Sequence, residues 1–222
     1  MERYRRITLF IFIYAVFSMM LFLKSGSFLF IMLVWNIILA SFPLVFMNQG
    51  LRSGKKWKKI VYLLLWFAFF PNAIYMITDF IHLTNDQMIW TIPVELYSGL
   101  DGTRYSMEIF QWSKLLVISL GAFYALMIGL ESLNKFYDFI KIQKGHLISG
   151  IAIVLVSTIA SFGVFIGRFL RFNSWDIARP VSLMKGILDS LTEFTWAFTV
   201  IYATFILITF ILFRWFRTGI SE

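Results

Sequence analysis

The chain has 222 residues, of which 59% are hydrophobic and 26 are phenylalanine. A soluble domain is closer to half apolar, so this composition predicts an integral membrane protein. The absence of cysteine excludes disulfides, thiolate nucleophiles and cysteine-based zinc or iron–sulfur sites. The formal net charge of +8 is typical of a membrane protein with basic cytoplasmic loops, so we do not expect nucleic-acid binding.

Six apolar stretches approach the ~20 residues that a helix needs to cross a hydrocarbon core ~30 Å thick. The first has a basic start, but it is long and lacks a small-residue cleavage pattern, so we interpret it as a helix and not as a signal peptide. The sequence therefore predicts an all-α, polytopic integral membrane protein, with residues 1–222 forming one transmembrane domain of about six helices. In chain order, the predicted helices cover residues 7–23, 28–47, 60–81, 112–130, 147–170 and 194–213.

The distribution of basic residues predicts an N-in/C-in orientation. With the N-terminus inside, 13 of the 20 Lys and Arg residues fall in cytoplasmic segments, which is the side where they concentrate in membrane proteins. The stretch "RSGKKWKK", residues 52–59, fits this topological role, although it would also suit anionic lipids or a partner protein. The 13 residues are Arg3, Arg5, Arg6, Arg52, Lys55, Lys56, Lys58, Lys59, Lys135, Lys141, Lys144, Arg214 and Arg217.

Two longer segments, about 82–111 and 171–193, are predicted on the outer side. The first is amphipathic, which is typical of a segment that lies in the membrane interface or covers a site as a lid. The second begins within "GRFLRFNSWD", residues 167–176, whose Arg168 and Arg171 lie on the side that the charge bias disfavours. Snorkelling towards lipid headgroups explains Arg171 better than Arg168, which precedes two apolar residues.

The third predicted helix ends in an unusual polar stretch, "FPNAIYMITDFIHL", residues 70–83. At 100° per residue, a polar stripe falls within an arc of about 80° on one helical face, if the helix extends to residue 86. Its members are Asn72, Tyr75, Asp79, His82 and Asp86. An ionised aspartate costs up to ~3 kcal/mol at a helix centre, so such residues usually face a partner or a cavity. We expect Asp79 to pair with one of the two outer arginines of the fifth helix.

The chain also contains features with a purely structural interpretation. Pro71 removes a backbone donor and predicts a kink, and Asn72 could bind a freed carbonyl. Ala160, Gly163 and Gly167 share one face of the fifth helix, where small residues let another helix approach closely. The third helix is one plausible neighbour.

The two motifs "FPNAIYMITDFIHL" and "GVFIGRFLRFNSWD", in this order, resemble the bacterial membrane-protein family known as domain of unknown function 1361. The resemblance covers roughly residues 35–215. It implies a multi-pass protein of the bacterial cytoplasmic membrane and brings no established activity. The motif positions are Pro71, Asn72, Tyr75, Asp79, His82, Gly167, Arg168, Arg171, Asn173, Ser174, Trp175 and Asp176.

The residues themselves favour an outward-facing polar site that binds or transports an anionic lipid, or an envelope-related ligand such as a lipid-linked precursor. Arginine forks suit phosphate or carboxylate groups, and an aromatic surround suits a lipid. We expect no cofactor and no metal site, since acids and histidines at helical spacing are common by chance. The predicted ligand-binding residues are Asn72, Tyr75, Asp79, His82, Arg168, Arg171, Asn173, Trp175 and Asp176.

Two other functions stay open. In a membrane-embedded enzyme acting on a lipid-linked substrate, Asp79 and His82 would form a general base, with Ser174 or Tyr75 as nucleophile. The other open function is that of a structural subunit, in which the chain packs against a further membrane protein. A recognised catalytic signature is absent from the sequence.

Overall fold

The computed structural model describes residues 2–95, 97, 99, 101–171 and 186–219. Long helices dominate this part of the chain, so the fold is all-α as predicted. The long helices are α1 (Glu2–Ser25), α2 (Leu29–Arg52), α3 (Lys56–Tyr75), α4 (Ile109–Phe165) and α5 (Glu193–Gly219). Shorter elements are a 3-10 helix (Met76–Leu83) after α3, a π-helical turn (Ile166–Leu170) after α4, a helical turn at 186–189, and the antiparallel strands β1 (Ile89–Thr91) and β2 (Thr103–Tyr105).

Helix α4 consists of two segments, 109–144 and 146–165, that meet at Gly145. This glycine has φ 83° and ψ 178°, which is outside the helical region. The hydroxyl of Tyr137 and Nδ1 of His146 are 3.0 Å apart although nine residues separate them. A straight helix would place two such residues ~13 Å apart along its axis, so the chain reverses at Gly145.

Contacts with α5 confirm that the two segments of α4 run in opposite directions. Arg217, near the end of α5, pairs with Glu131 in the first segment. Phe194, near the start of α5, packs against Phe165 at the end of the second segment, with ring centroids 6.3 Å apart. The predicted span 112–130 falls within the first segment, and the predicted span 147–170 covers the second segment and the π-helical turn. Residues 131–144 between the two spans are helical and not a loop.

Among the described residues, five helices are long and apolar enough to cross a membrane, and α4 with its π-helical turn counts as one of them. Their outward faces carry large apolar side chains. Phe12, Leu64, Phe123 and Val200 are each more than 60% exposed. Contiguous apolar surface of this kind is uncommon on a soluble monomer and suits helices whose solvent is lipid.

Helix α3 contributes to both buried apolar clusters, as do α2 and the first segment of α4. One cluster joins α3 to α2, both segments of α4, and α5; the other joins it to α1, α2 and the first segment of α4. Gly163 of the second segment touches α3, because a Cβ added there would be 2.9 Å from Cγ of Pro71. This is the close helix approach that the small residues of that segment predict.

Candidate functional site

The polar stretch after Pro71 does not continue as an α-helix. Helix α3 ends at Tyr75 and the chain tightens into the 3-10 helix, so the stripe calculated at 100° per residue is wrong beyond that point. A 3-10 helix has three residues per turn, which aligns residues i and i+3. Asp79 and His82 therefore lie on one face of this helix together with Met76.

Asp79 is the centre of a buried polar cluster. Its side chain is 2% exposed, and Oδ1 accepts a hydrogen bond of 2.5 Å from Nη2 of Arg168. The other carboxylate oxygen accepts a hydrogen bond of 3.1 Å from Nδ2 of Asn36 on α2. The pairing of Asp79 with an outer arginine is thus confirmed, and the partner is Arg168. Each charge offsets the cost of burying the other.

Arg168 lies in the π-helical turn, and two further groups besides Asp79 fix its guanidinium group. Nε donates to Oγ1 of Thr78 at 2.7 Å, and Nη2 also donates to this hydroxyl. The ring of Tyr75 lies 4.4 Å from Cζ, in a cation–π contact. The third nitrogen, Nη1, makes no hydrogen bond with any residue that the structure describes. The 14% exposed side chain is therefore held in one orientation by contacts at Nε, at Nη2 and at the face of the guanidinium group.

The remaining predicted site residues do not share one set of contacts with the Asp79–Arg168 pair. Nε2 of His82 is 3.9 Å from Oδ1 of Asp79, beyond hydrogen-bond distance, and the histidine side chain is 30% exposed. Arg171 is exposed and has a left-handed backbone conformation at φ 58°. Asn72 donates a hydrogen bond of 3.1 Å to the carbonyl oxygen of Phe69, whereas the carbonyl that loses its helical donor at Pro71 is that of Phe67. The predicted site residues Asn173, Trp175 and Asp176, and the candidate nucleophile Ser174, lie outside the described residues.

Asp86, the last member of the predicted stripe, belongs to a different contact. It forms an ion pair of 2.8 Å with Lys114 near the start of α4, which ties the end of the 3-10 helix to that helix. Within the described ranges, no three acidic or histidine side chains converge on a position that would hold a metal ion.

Two residues of the cluster, Asn36 and Thr78, were not predicted from the sequence. Asn36 is a lone amide in the apolar run "VWNIIL", and intramembrane polarity of this kind could have identified it as a partner for a charge. Thr78 carried no signal, because threonine is common in membrane helices as a donor to its own backbone. Besides accepting from Arg168, the Thr78 hydroxyl donates to the backbone carbonyl of Tyr75 at 2.6 Å.

A second polar cluster lies near the C-terminal end of α5. Nη1 of Arg214 donates to Oδ1 of Asn134 at 2.5 Å and to Oδ1 of Asp138 at 3.2 Å. The guanidinium carbon lies 4.0 Å from the ring centroid of Tyr137. These contacts join α5 to the first segment of α4 and stabilise the packing of the bundle at the end opposite Arg168.

Fold and site together define an all-α protein of membrane-spanning character, with a charged cluster buried at one end of its helices. Residues 35–209 match the family described as Protein of unknown function (DUF1361), and the chain belongs to this family. Comparison with curated proteins and with solved structures gave no match. The family supplies no activity, so function has to be argued from the site.

Proposed function

We propose that this protein binds or transports an anionic lipid, or an envelope-related ligand such as a lipid-linked precursor, at an outward-facing polar site in the bacterial cytoplasmic membrane. The reversal at Gly145 divides α4 into two segments, and this supports six crossings in an N-in/C-in orientation. The bias of basic residues supports this orientation and assigns the ends of the 3-10 helix and of the π-helical turn to the outer face.

The observation that carries this proposal is the hydrogen bonding of the Arg168 guanidinium group. Asp79 and Thr78 engage Nε and Nη2 of this residue, and Nη1 has no partner within the described residues. Asp79 compensates one positive charge, so the exposed Arg171, three residues further along the chain, supplies the excess that an anion would neutralise. A guanidinium group binds phosphate oxygens in a fixed planar geometry, and an oriented one does so without losing further side-chain freedom.

The position of the cluster favours a lipid as the source of that phosphate. The charged groups follow directly on apolar helices whose outward faces are exposed, so a ligand would have its polar head at the arginines and its chains along the bundle. A soluble phosphate lacks such chains and would bind through the headgroup contacts alone.

Lipid retention after purification tests this function. The protein is incubated with phosphatidylglycerol or phosphatidylcholine in detergent, repurified and analysed by mass spectrometry. We expect selective retention of phosphatidylglycerol, and a reduction of roughly tenfold in Arg168→Lys and Arg171→Lys, because Lys keeps the charge but loses the guanidinium geometry. Arg104→Lys, on the exposed strand β2, is the matched control and should retain the parent amount.

Three outcomes would contradict the proposal or change its ligand. Equal retention by the lysine variants would mean that the arginines only snorkel. Equal retention of the two lipids would remove anionic selectivity. Release of phosphatidylglycerol by millimolar inorganic phosphate would identify the phosphate group as sufficient and favour a soluble anion.

The second candidate function is a membrane enzyme acting on a lipid-linked substrate, and the alignment of Asp79 with His82 in the 3-10 helix favours it. Their separation of 3.9 Å would allow the carboxylate to orient the imidazole after a small movement. His82→Gln should then leave lipid retention unchanged and abolish conversion of the bound lipid. If the chain is instead a structural subunit, Asp79→Asn should weaken association with a co-purifying membrane protein without changing retention of lipid.

A further inference from the structure

A separate cavity lies outside the helix bundle, where strand β1 approaches the start of α4. Its volume is about 510 Å³. It shares no residue with the Asp79–Arg168 cluster, and the charge bias places it on the outer side of the membrane. The cavity is lined by Gln87, Trp90, Ser106, Met107, Glu108 and Gln111.

Hydrogen bonds within the chain hold the walls of this cavity in place. The amide of Ser106 donates to the carbonyl of Met88 at 2.8 Å, and the carbonyl of Ser106 accepts a bond of 2.8 Å from Nε1 of Trp112. The hairpin closes at Gly102, which has φ 73° and would place a Cβ 2.4 Å from the carbonyl oxygen of Ile92. Only glycine fits there, so the loop geometry is specified by the sequence.

The polar groups in the lining indicate a ligand that both donates and accepts hydrogen bonds. Oε1 of Gln111 is buried and has no hydrogen-bond partner among the described residues. Gln87 adds a second amide, which offers donors and an acceptor, and Glu108 adds an acceptor. Hydroxyl groups match this set because each one donates and accepts.

The charge and shape of the lining distinguish a neutral ligand from an ion. Among the described residues of the lining, Glu108 alone has an ionisable side chain, and it would repel phosphate. An alkylammonium ion would suit Glu108, but cation recognition normally uses a cage of several aromatic rings, and Trp90 is the single ring among the described lining residues. Its indole is 37% exposed and offers a flat apolar face for the C–H groups of a ring.

We propose that this cavity binds a saccharide, with one sugar ring against Trp90 and its hydroxyl groups on Gln87, Glu108 and Gln111. The site does not depend on lipid binding at Arg168. A soluble sugar therefore tests it without reference to the retention of phosphatidylglycerol.

The test is saturation-transfer NMR with the purified full chain in a polyoxyethylene detergent, which has no sugar headgroup to compete. The probes are maltose and N,N′-diacetylchitobiose, with tetramethylammonium and inorganic phosphate as ion probes. We expect saturable binding of at least one disaccharide and of neither ion. Gln111→Met keeps the side-chain volume and should weaken binding by roughly three- to tenfold, the effect of one neutral hydrogen bond.

Further variants separate stacking from folding effects. Trp90→Ala should abolish sugar binding, and Trp90→Phe should retain most of it because the ring face remains. Trp57→Ala in α3 and Gln143→Ala at the far end of the first segment of α4, both at exposed positions, should bind as the parent does. The proposal is overturned if neither disaccharide binds saturably, if Gln111→Met and Trp90→Ala bind as the parent does, or if tetramethylammonium binds instead and Glu108→Gln abolishes that binding.

Discussion

Replacement of Asp79 by asparagine should destabilise the protein by about 3 kcal/mol. Removal of one member of a buried ion pair costs about 3–5 kcal/mol, because the other charge stays buried without compensation. Asp79 is buried at 2% exposed, whereas Arg168 is partly buried at 14% exposed. We expect the lower end of the range, since Thr78 and Tyr75 still contact the guanidinium group and asparagine preserves the volume.

The free energy of unfolding can be measured by titration with SDS in mixed micelles, followed by circular dichroism. Partners in one contact are coupled, so the cost of Asp79→Asn combined with Arg168→Gln should fall short of the sum of the single costs by ~1 kcal/mol or more. Asp79→Asn combined with Arg171→Gln is the matched control and should be additive within ~0.5 kcal/mol. Additivity of Asp79→Asn with Arg168→Gln would refute the pairing as a source of stability.

Two further predictions concern the topology and the helix contacts. In intact cells, an impermeant thiol reagent should label Tyr97→Cys, at a fully exposed position, and should not label Ser53→Cys; the opposite pattern would reverse the orientation. Gly163→Ala should lower stability by about 1–3 kcal/mol in the same SDS titration, because the new methyl group would be 2.9 Å from the rigid ring of Pro71. Gly150→Ala, with no atom within 4 Å of its Cβ, should be neutral or slightly stabilising, and equal losses for the two glycines would contradict this contact.

The sequence by itself determined the helical class of the protein and the pairing of Asp79 with one of two arginines. Apolar runs of ~20 residues can satisfy their backbone groups in lipid only as helices, so composition and length identify the elements. The partner of Asp79 was predictable because a charge in hydrocarbon needs an opposite charge, and the chain offers two arginines one turn apart at the same end of a helix. The small residues around Gly163 likewise predicted a close helix contact before its partner, Pro71, was known.

The tertiary structure decided which arginine pairs with Asp79 and which neutral groups complete the cluster. Asn36 and Asp79 are 43 residues apart, and Thr78 and Arg168 are 90 residues apart. Contacts over such separations depend on how the helices pack, which periodicity within one helix does not encode. The change from α to 3-10 geometry after Tyr75 also rotates every later side chain relative to an ideal α-helix. The face on which His82 lies therefore follows from the packing of the 3-10 helix against α4 and not from its spacing in the sequence.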